Sequence, residues 1–215
     1  LEKDGIEINN ADNDGWTPLH VACKNSHEEI VNALLEKDGI EINKAKYNGV
    51  TPLFIACQAG NESIVNALLE KDGIEINKAD KDGYTPVYLA CQEGHEGIVN
   101  ALIEKDGIEI NKAKNNGATP LFSACEQGYE AIVNALLKQD GIDINKEKIF
   151  GYTPLIIACE NGHEGIVNAL LKQDGIEINK AEDYGETPLL IACQQGHEAI
   201  VNTLLGKDGI EINKA

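Results

Sequence analysis

Five histidines and six cysteines carry most of the reactive side-chain chemistry of this 215-residue chain. Four of the histidines, His27, His95, His163 and His197, share one slot but stand at least 34 residues apart. A structural zinc needs about four ligands converging at ~2.0–2.3 Å, which side chains one structural unit apart cannot supply. A hydrogen bond at a loop between helices is their expected role. The cysteines Cys23, Cys57, Cys91, Cys125, Cys159 and Cys193 also recur every 34 residues. Equivalent residues of stacked units lie a helix-packing distance of ~8–10 Å apart, beyond the Cα separation of ~7 Å that a disulfide tolerates. Each cysteine follows an alanine on an apolar face, so all six read as small buried thiols. Asn10-Ala-Asp12-Asn-Asp14-Gly15 imitates the start of a calcium loop, but Val21 stands where the bidentate glutamate is required. The serines are Ser26, Ser63 and Ser123, none of them part of an evident triad. No His-Glu-x-x-His, phosphate loop or nucleophile elbow is present. The expectation is no enzyme, no bound metal and no cofactor.

What positions these residues is a unit marked by the dipeptide Thr-Pro. It recurs at Thr17, Thr51, Thr85, Thr119, Thr153 and Thr187, with a constant spacing of 34. A fixed period of this size means one supersecondary unit stacked many times. In the copy from Asn77 to Ile110, Thr85 is suited to N-cap a helix and Pro86 to open it, since its missing N–H would be unpaired there anyway. That helix carries Val87, Ala90 and Cys91 on one face, and Gly94 closes it in the left-handed conformation. A second helix starts near Glu96, and Ile98, Val99, Leu102 and Ile103 give it a buried stripe. Asp106-Gly107 ends it, and Ile108-Glu-Ile110 reads as a short extended arm leading to the next turn. Six copies are expected at about 9–42, 43–76, 77–110, 111–144, 145–178 and 179–212, in one array spanning 1–215. A partial copy at 1–8 and the start of another at 213–215 make the chain read as a segment of a longer array. Its ends lack polar capping repeats, which predicts end-to-end self-association.

The order of turn, Thr-Pro helix, Gly-His, Ile-Val-x-x-Leu-Leu helix, Gly and arm resembles the ankyrin repeat throughout the chain. Thr17-Pro18-Leu19-His20 and Gly196-His197-Glu198-Ala199-Ile200-Val201 carry the likeness most clearly. The resemblance implies an all-α solenoid of helix-turn-helix units with projecting β-hairpin-like turns. It also implies a concave, partner-gripping face formed by the turn tips and first helices. Two departures stand out. Lys-Asp-Gly-Ile or Gln-Asp-Gly-Ile lengthens the family's usual repeat by one residue after the second helix. The histidine of Thr-Pro-Leu-His, which the family uses for polar contacts between repeats, survives only as His20. Phe54, Tyr88, Phe122, Ile156 and Leu190 replace it, so apolar packing is expected there.

Composition narrows the partners. All 18 basic residues are lysine and the net charge is −18, which disfavours nucleic acid, whose recognition draws on clustered cations and arginine. Such acidity suits a neutral or basic protein or peptide. No apolar run reaches the ~18 residues of a membrane span and no signal-peptide pattern opens the chain. Reduced thiols point to an intracellular, cytoplasmic setting.

The copies also compare themselves. The Thr-Pro, the turn glycine, the Ala-Cys pair and the Ile-Val-Asn of the second helix do not change, so these must build the core between repeats. The Asn of that last motif (Asn32, Asn66, Asn100, Asn134, Asn168, Asn202) reads as a polar ladder or a helix-to-loop hydrogen bond. Variation gathers at the turn before Thr-Pro and at the end of the first helix. Six of the ten aromatic residues flank the turns, where binding anchors rather than bare rings are expected, the competing reading being cover over a neighbouring helix. The candidate binding residues are Trp16, Tyr47, Tyr84, Ile149, Phe150, Tyr152 and Tyr184 at the turns, with Gln92, Glu126 and Glu160 at the helix ends. The expected function is a non-enzymatic protein-interaction scaffold. A structural spacer within a longer array, or a designed repeat scaffold, is the alternative.

Overall fold

The computed structural model describes residues 7–212; the partial copies expected at 1–8 and 213–215 lie largely outside them. The chain divides into two compact units, Leu1–Ile108 and Glu109–Ala215. The first holds α1 (Pro18–Lys24), α2 (Glu28–Leu35), α3 (Pro52–Ala59), α4 (Glu62–Leu69), α5 (Pro86–Glu93) and α6 (Glu96–Ile103). The second holds α7 (Pro120–Gln127), α8 (Glu130–Leu136), α9 (Pro154–Glu160), α10 (Glu164–Leu170), α11 (Pro188–Gln195) and α12 (Glu198–Leu205). A single 3-10 turn, Ile149–Gly151, precedes α9. The described residues contain no strand, so the fold class is all-α.

Each helix pair is started and stopped by local chemistry. The side chains of Thr17, Thr51, Thr85, Thr119, Thr153 and Thr187 accept a hydrogen bond from the third helical N–H, and a proline follows each threonine. The left-handed Gly60, Gly94, Gly128 and Gly196 close α3, α5, α7 and α11. Helices of seven or eight residues are too short to persist alone in water. Tertiary packing therefore maintains them. In the first unit α1, α3 and α5 pack in succession, as do α2, α4 and α6 behind them; α7, α9, α11 and α8, α10, α12 repeat this in the second. Leu53, Ile64, Val65 and Leu68 are fully buried between neighbours. Each such side chain contributes about 1.5–3 kcal/mol of burial.

Five of the six cysteines are buried as expected, but Cys193 is exposed. Its face is the one that the next first helix covers in other copies, and no helix follows α12 among the described residues. Leu190 is exposed for the same reason, whereas Phe54, Tyr88, Phe122 and Ile156 fill the former histidine slot as buried packing residues.

The expected extended arm is instead a run of turns. In the copy quoted above, Ile108 N donates to Lys105 O and Lys112 N to Glu109 O. A side-chain ladder replaces strand pairing. Asn43 Nδ2 donates to Gly73 O at 2.7 Å, and its Oδ1 accepts from Glu75 N at 2.9 Å. Asn9 and, in the second unit, Asn111, Asn145 and Asn179 make the same two bonds to the following copy. This overturns the ladder expected at Asn32 and its equivalents. Those six lie on the outward side of the second helices, exposed or half-buried, and make no side-chain hydrogen bond among the described residues. Replacing Asn43 with Ala removes two solvent-exposed hydrogen bonds and should cost about 1 kcal/mol. Asn66→Ala should stay within about 0.5 kcal/mol of the parent; paired urea titrations check the contrast.

Candidate functional site

In three of the turns before the first helices a carboxylate ties down backbone N–H groups. Asp12 Oδ1 accepts from Asp14 N and Trp16 N, each at 2.9 Å. Asp80 Oδ1 accepts from Asp82 N and Tyr84 N in the same way, and Glu182 Oε1 from Tyr184 N and Glu186 N. Successive turns are joined by backbone bonds: Lys81 N to Asn48 O in the first unit, Ile149 N to Asn116 O and Asp183 N to Phe150 O in the second. The turn glycine is needed twice over. Gly49 has φ +88°, and a Cβ there would lie 3.0 Å from the backbone of Asp80 in the next turn.

In the first unit Trp16, Tyr84 and Gln92 line one groove of about 490 Å³. Both rings are half-buried and packed edge-on, Trp16 against His20 at 6.2 Å between centroids and Tyr84 against Tyr88 at 5.2 Å. Lys46 Nζ sits 3.7 Å and Lys24 Nζ 4.8 Å from the Trp16 ring centroid, so the indole already carries two cations. Tyr47 lies outside the groove lining at an open turn tip.

Beneath Trp16, His20 is fully buried. Its Nε2–H donates to Val50 O at 3.1 Å, so Nδ1 is the acceptor for the Thr17 hydroxyl at 2.7 Å. This is the polar contact to the next copy that the resemblance implies. Desolvation lowers the imidazole pKa below 6.5, the Val50 bond opposes that shift, and the Lys46 charge adds to it.

In the second unit Ile149, Phe150 and Tyr184 are 49%, 56% and 81% exposed. Phe150 has φ +66°, a left-handed conformation that costs a non-glycine residue about 1–3 kcal/mol. Tyr152 is half-buried. Its phenol pKa is raised first by that burial, then by the charges of Glu160, Glu182 and Glu186 and by Tyr184. Glu126 is half-buried with Lys148 Nζ at 3.5 Å. Glu160 stands at the end of α9, where its backbone carbonyl accepts from His197 Nε2 at 3.1 Å. His163 makes the matching contact to Glu126 O at 3.4 Å. His163 and His197 are thus loop hydrogen-bonders, as expected, whereas His27 and His95 make no side-chain hydrogen bond among the described residues. His163 and His197 also fill the space that a Cβ on Gly128 or Gly162 of the preceding copy would take.

Sequence reasoning missed Lys46 and Glu182, which share one slot with Asp12, Asp80, Lys114 and Lys148. The change of charge between copies was the available signal. Among the described residues no group of three His, Cys, Asp or Glu could hold a metal ion, and no helix is long and apolar enough to cross a membrane.

The family model described as "Ankyrin repeats (3 copies)" matches residues 1–80, 76–148 and 142–215. The chain belongs to the ankyrin repeat family. No curated protein matches it. Ankyrin repeats are in general protein-interaction modules and typically non-enzymatic. Within these repeats, His20 gives an acid-sensitive contact. Its folded pKa lies below its unfolded value, so its contribution is complete above about pH 6.5 and is lost as pH falls toward the depressed folded pKa. Urea midpoints should therefore drop more between pH 7 and pH 5 in the parent than in His20→Phe, which copies the residue at Phe54 and Phe122. Equal drops would discard the assignment.

Proposed function

We propose that this ankyrin array is a non-enzymatic scaffold that holds a protein or peptide against its turn tips and first helices. The observation that carries this reading is the trio Ile149, Phe150 and Tyr184. Three large apolar side chains are left open to solvent on adjoining turns, and exposed aromatic clusters are a mark of binding surfaces. The left-handed Phe150 supports it further, since strain concentrates at functional sites. A stack that holds such anchors in place spares the complex the entropy of ordering them. In the first unit, the groove around Trp16, Tyr84 and Gln92 offers a second contact region, with Tyr47, Glu126 and Glu160 as further partner-facing residues. Free thiols, most of them buried, fit a reducing intracellular compartment.

The test separates binding from folding. Phe150→Asn suits the left-handed backbone, and Tyr184 is largely exposed, so Phe150→Asn combined with Tyr184→Ala should melt no lower than the parent by circular dichroism. It should nevertheless lose at least ~90% of the partner that the immobilised parent captures stoichiometrically, a tenfold or greater loss of affinity. Equal capture by both would sink the patch; capture by neither would favour a spacer.

Self-association is a second reading with its own observation. Val21 and Ile30 on α1 and α2, and Leu190 and Leu205 on α11 and α12, are exposed, although their equivalents Ile55, Ile64, Phe54 and Leu69 are buried. One molecule's α11–α12 face can therefore cover another's α1–α2 face. Sedimentation velocity should show mass rising with concentration and Ile30→Glu should suppress it; a monomer throughout would rule this out.

A further inference from the structure

Glu182 is the odd member of its slot. It is 4% exposed, whereas Asp12 is exposed and Asp80 half-buried. One oxygen does the work of the turn, accepting from Tyr184 N at 2.8 Å and Glu186 N at 2.9 Å. The other, Oε2, is buried with no hydrogen-bond partner. Aspartate does the same capping at the equivalent turns of the first unit, so the cap does not call for the longer side chain. A buried carboxylate oxygen without a partner is costly and is retained only where something offsets it.

Its surroundings make the deficit larger. Gly151 packs against the backbone of Glu182 and Asp183, which brings Tyr152 beside this turn. Glu160 and Glu186 act on Tyr152 together with Glu182. The lysines of the flanking segments are engaged elsewhere: Lys148 with Glu126, Lys180 with Glu147 and Glu177. Among the described residues Gln194 is the side-chain donor to the cluster, reaching Glu186 Oε1 at 2.7 Å. The geometry suits an organic cation better than a metal, since no three carboxylates close on one point. Tyr184 and Phe150 stand open alongside, ready to cover an aliphatic stem or face a cation.

We propose that this site receives a lysine or arginine side chain of the bound partner. The cation lies against Tyr152 between the carboxylates of Glu160 and Glu186, with the Glu182 carboxyl buried behind them. This deepens the scaffold reading and rests on it. A net charge of −18 would draw such a partner in from a distance.

The probe is a random twelve-residue peptide library displayed on phage and selected on the full chain, followed by anisotropy titration of the recovered peptides. Expected sequences carry Lys or Arg beside an apolar residue. Glu182→Gln keeps the Oε1 acceptor and the turn, and should weaken binding about tenfold. Replacing the peptide's basic residue with norleucine should cost a similar factor, and the two losses should not multiply, because they remove one interaction. Glu160→Gln, whose backbone contact to His197 is untouched, repeats the measurement should Glu182→Gln fold poorly. Peptides without a basic position, or affinities within twofold after both glutamate changes, would overturn the inference. If such peptides are still lost on Phe150→Asn with Tyr184→Ala, the scaffold reading survives. If no sequence converges, or binding ignores both sets of changes, that reading falls too.

Discussion

A pair of helices seven or eight residues long cannot bury its own apolar face. Much of the chain's regularity follows from this deficit. The face is closed only by the next copy, so whatever lies on it must recur at the same spacing, which is why Thr-Pro, Ala-Cys and Ile-Val repeat every 34 residues. Exposure follows the same rule. Val21 and Ile30 at one end, Leu190 and Cys193 at the other, differ from their buried equivalents in lacking a covering helix among the described residues, not in chemistry.

Apolar burial sets the stack but does not set the spacing of the loops. Directional contacts do that. The asparagine ladder from Asn43 to Gly73 and Glu75 and its equivalents link one arm to the next. Backbone bonds such as Lys81 N to Asn48 O link one turn to the next, at a closeness that only glycine permits. The lengthened segment after each second helix therefore leaves no loose loop; in the copy next to Asn43 the ladder supplies the Gly73 carbonyl and the Glu75 N–H with partners.

On that frame the two units carry opposite local chemistry. In the first, Lys24 and Lys46 sit on the Trp16 indole within a groove. In the second, the charges of Glu160, Glu182 and Glu186 act on Tyr152 beside exposed Phe150 and Tyr184. The scaffold tolerates both because the variable slots lie on turns whose shape is held by backbone bonds, so a change of side chain there leaves the stack intact.

The sequence by itself determined the helix pairs, their caps, the buried thiols of the interior copies and the slots where variation gathers. Each of these rests on local chemistry or on a period, and both are written along the chain. Comparing copies also marks Ile149, Phe150, Tyr152 and Tyr184 among the candidate binding residues, although Tyr152 proves half-buried. It could not distinguish two invariant asparagines, Asn43 and Asn66, because invariance records that a residue is needed, not which atom it meets. Nor could it foresee the left-handed Phe150 or the unpartnered oxygen of Glu182. Those are properties of one turn pressed against another, decided by which backbone groups the neighbouring copy brings within hydrogen-bonding distance, and only the tertiary structure holds that information.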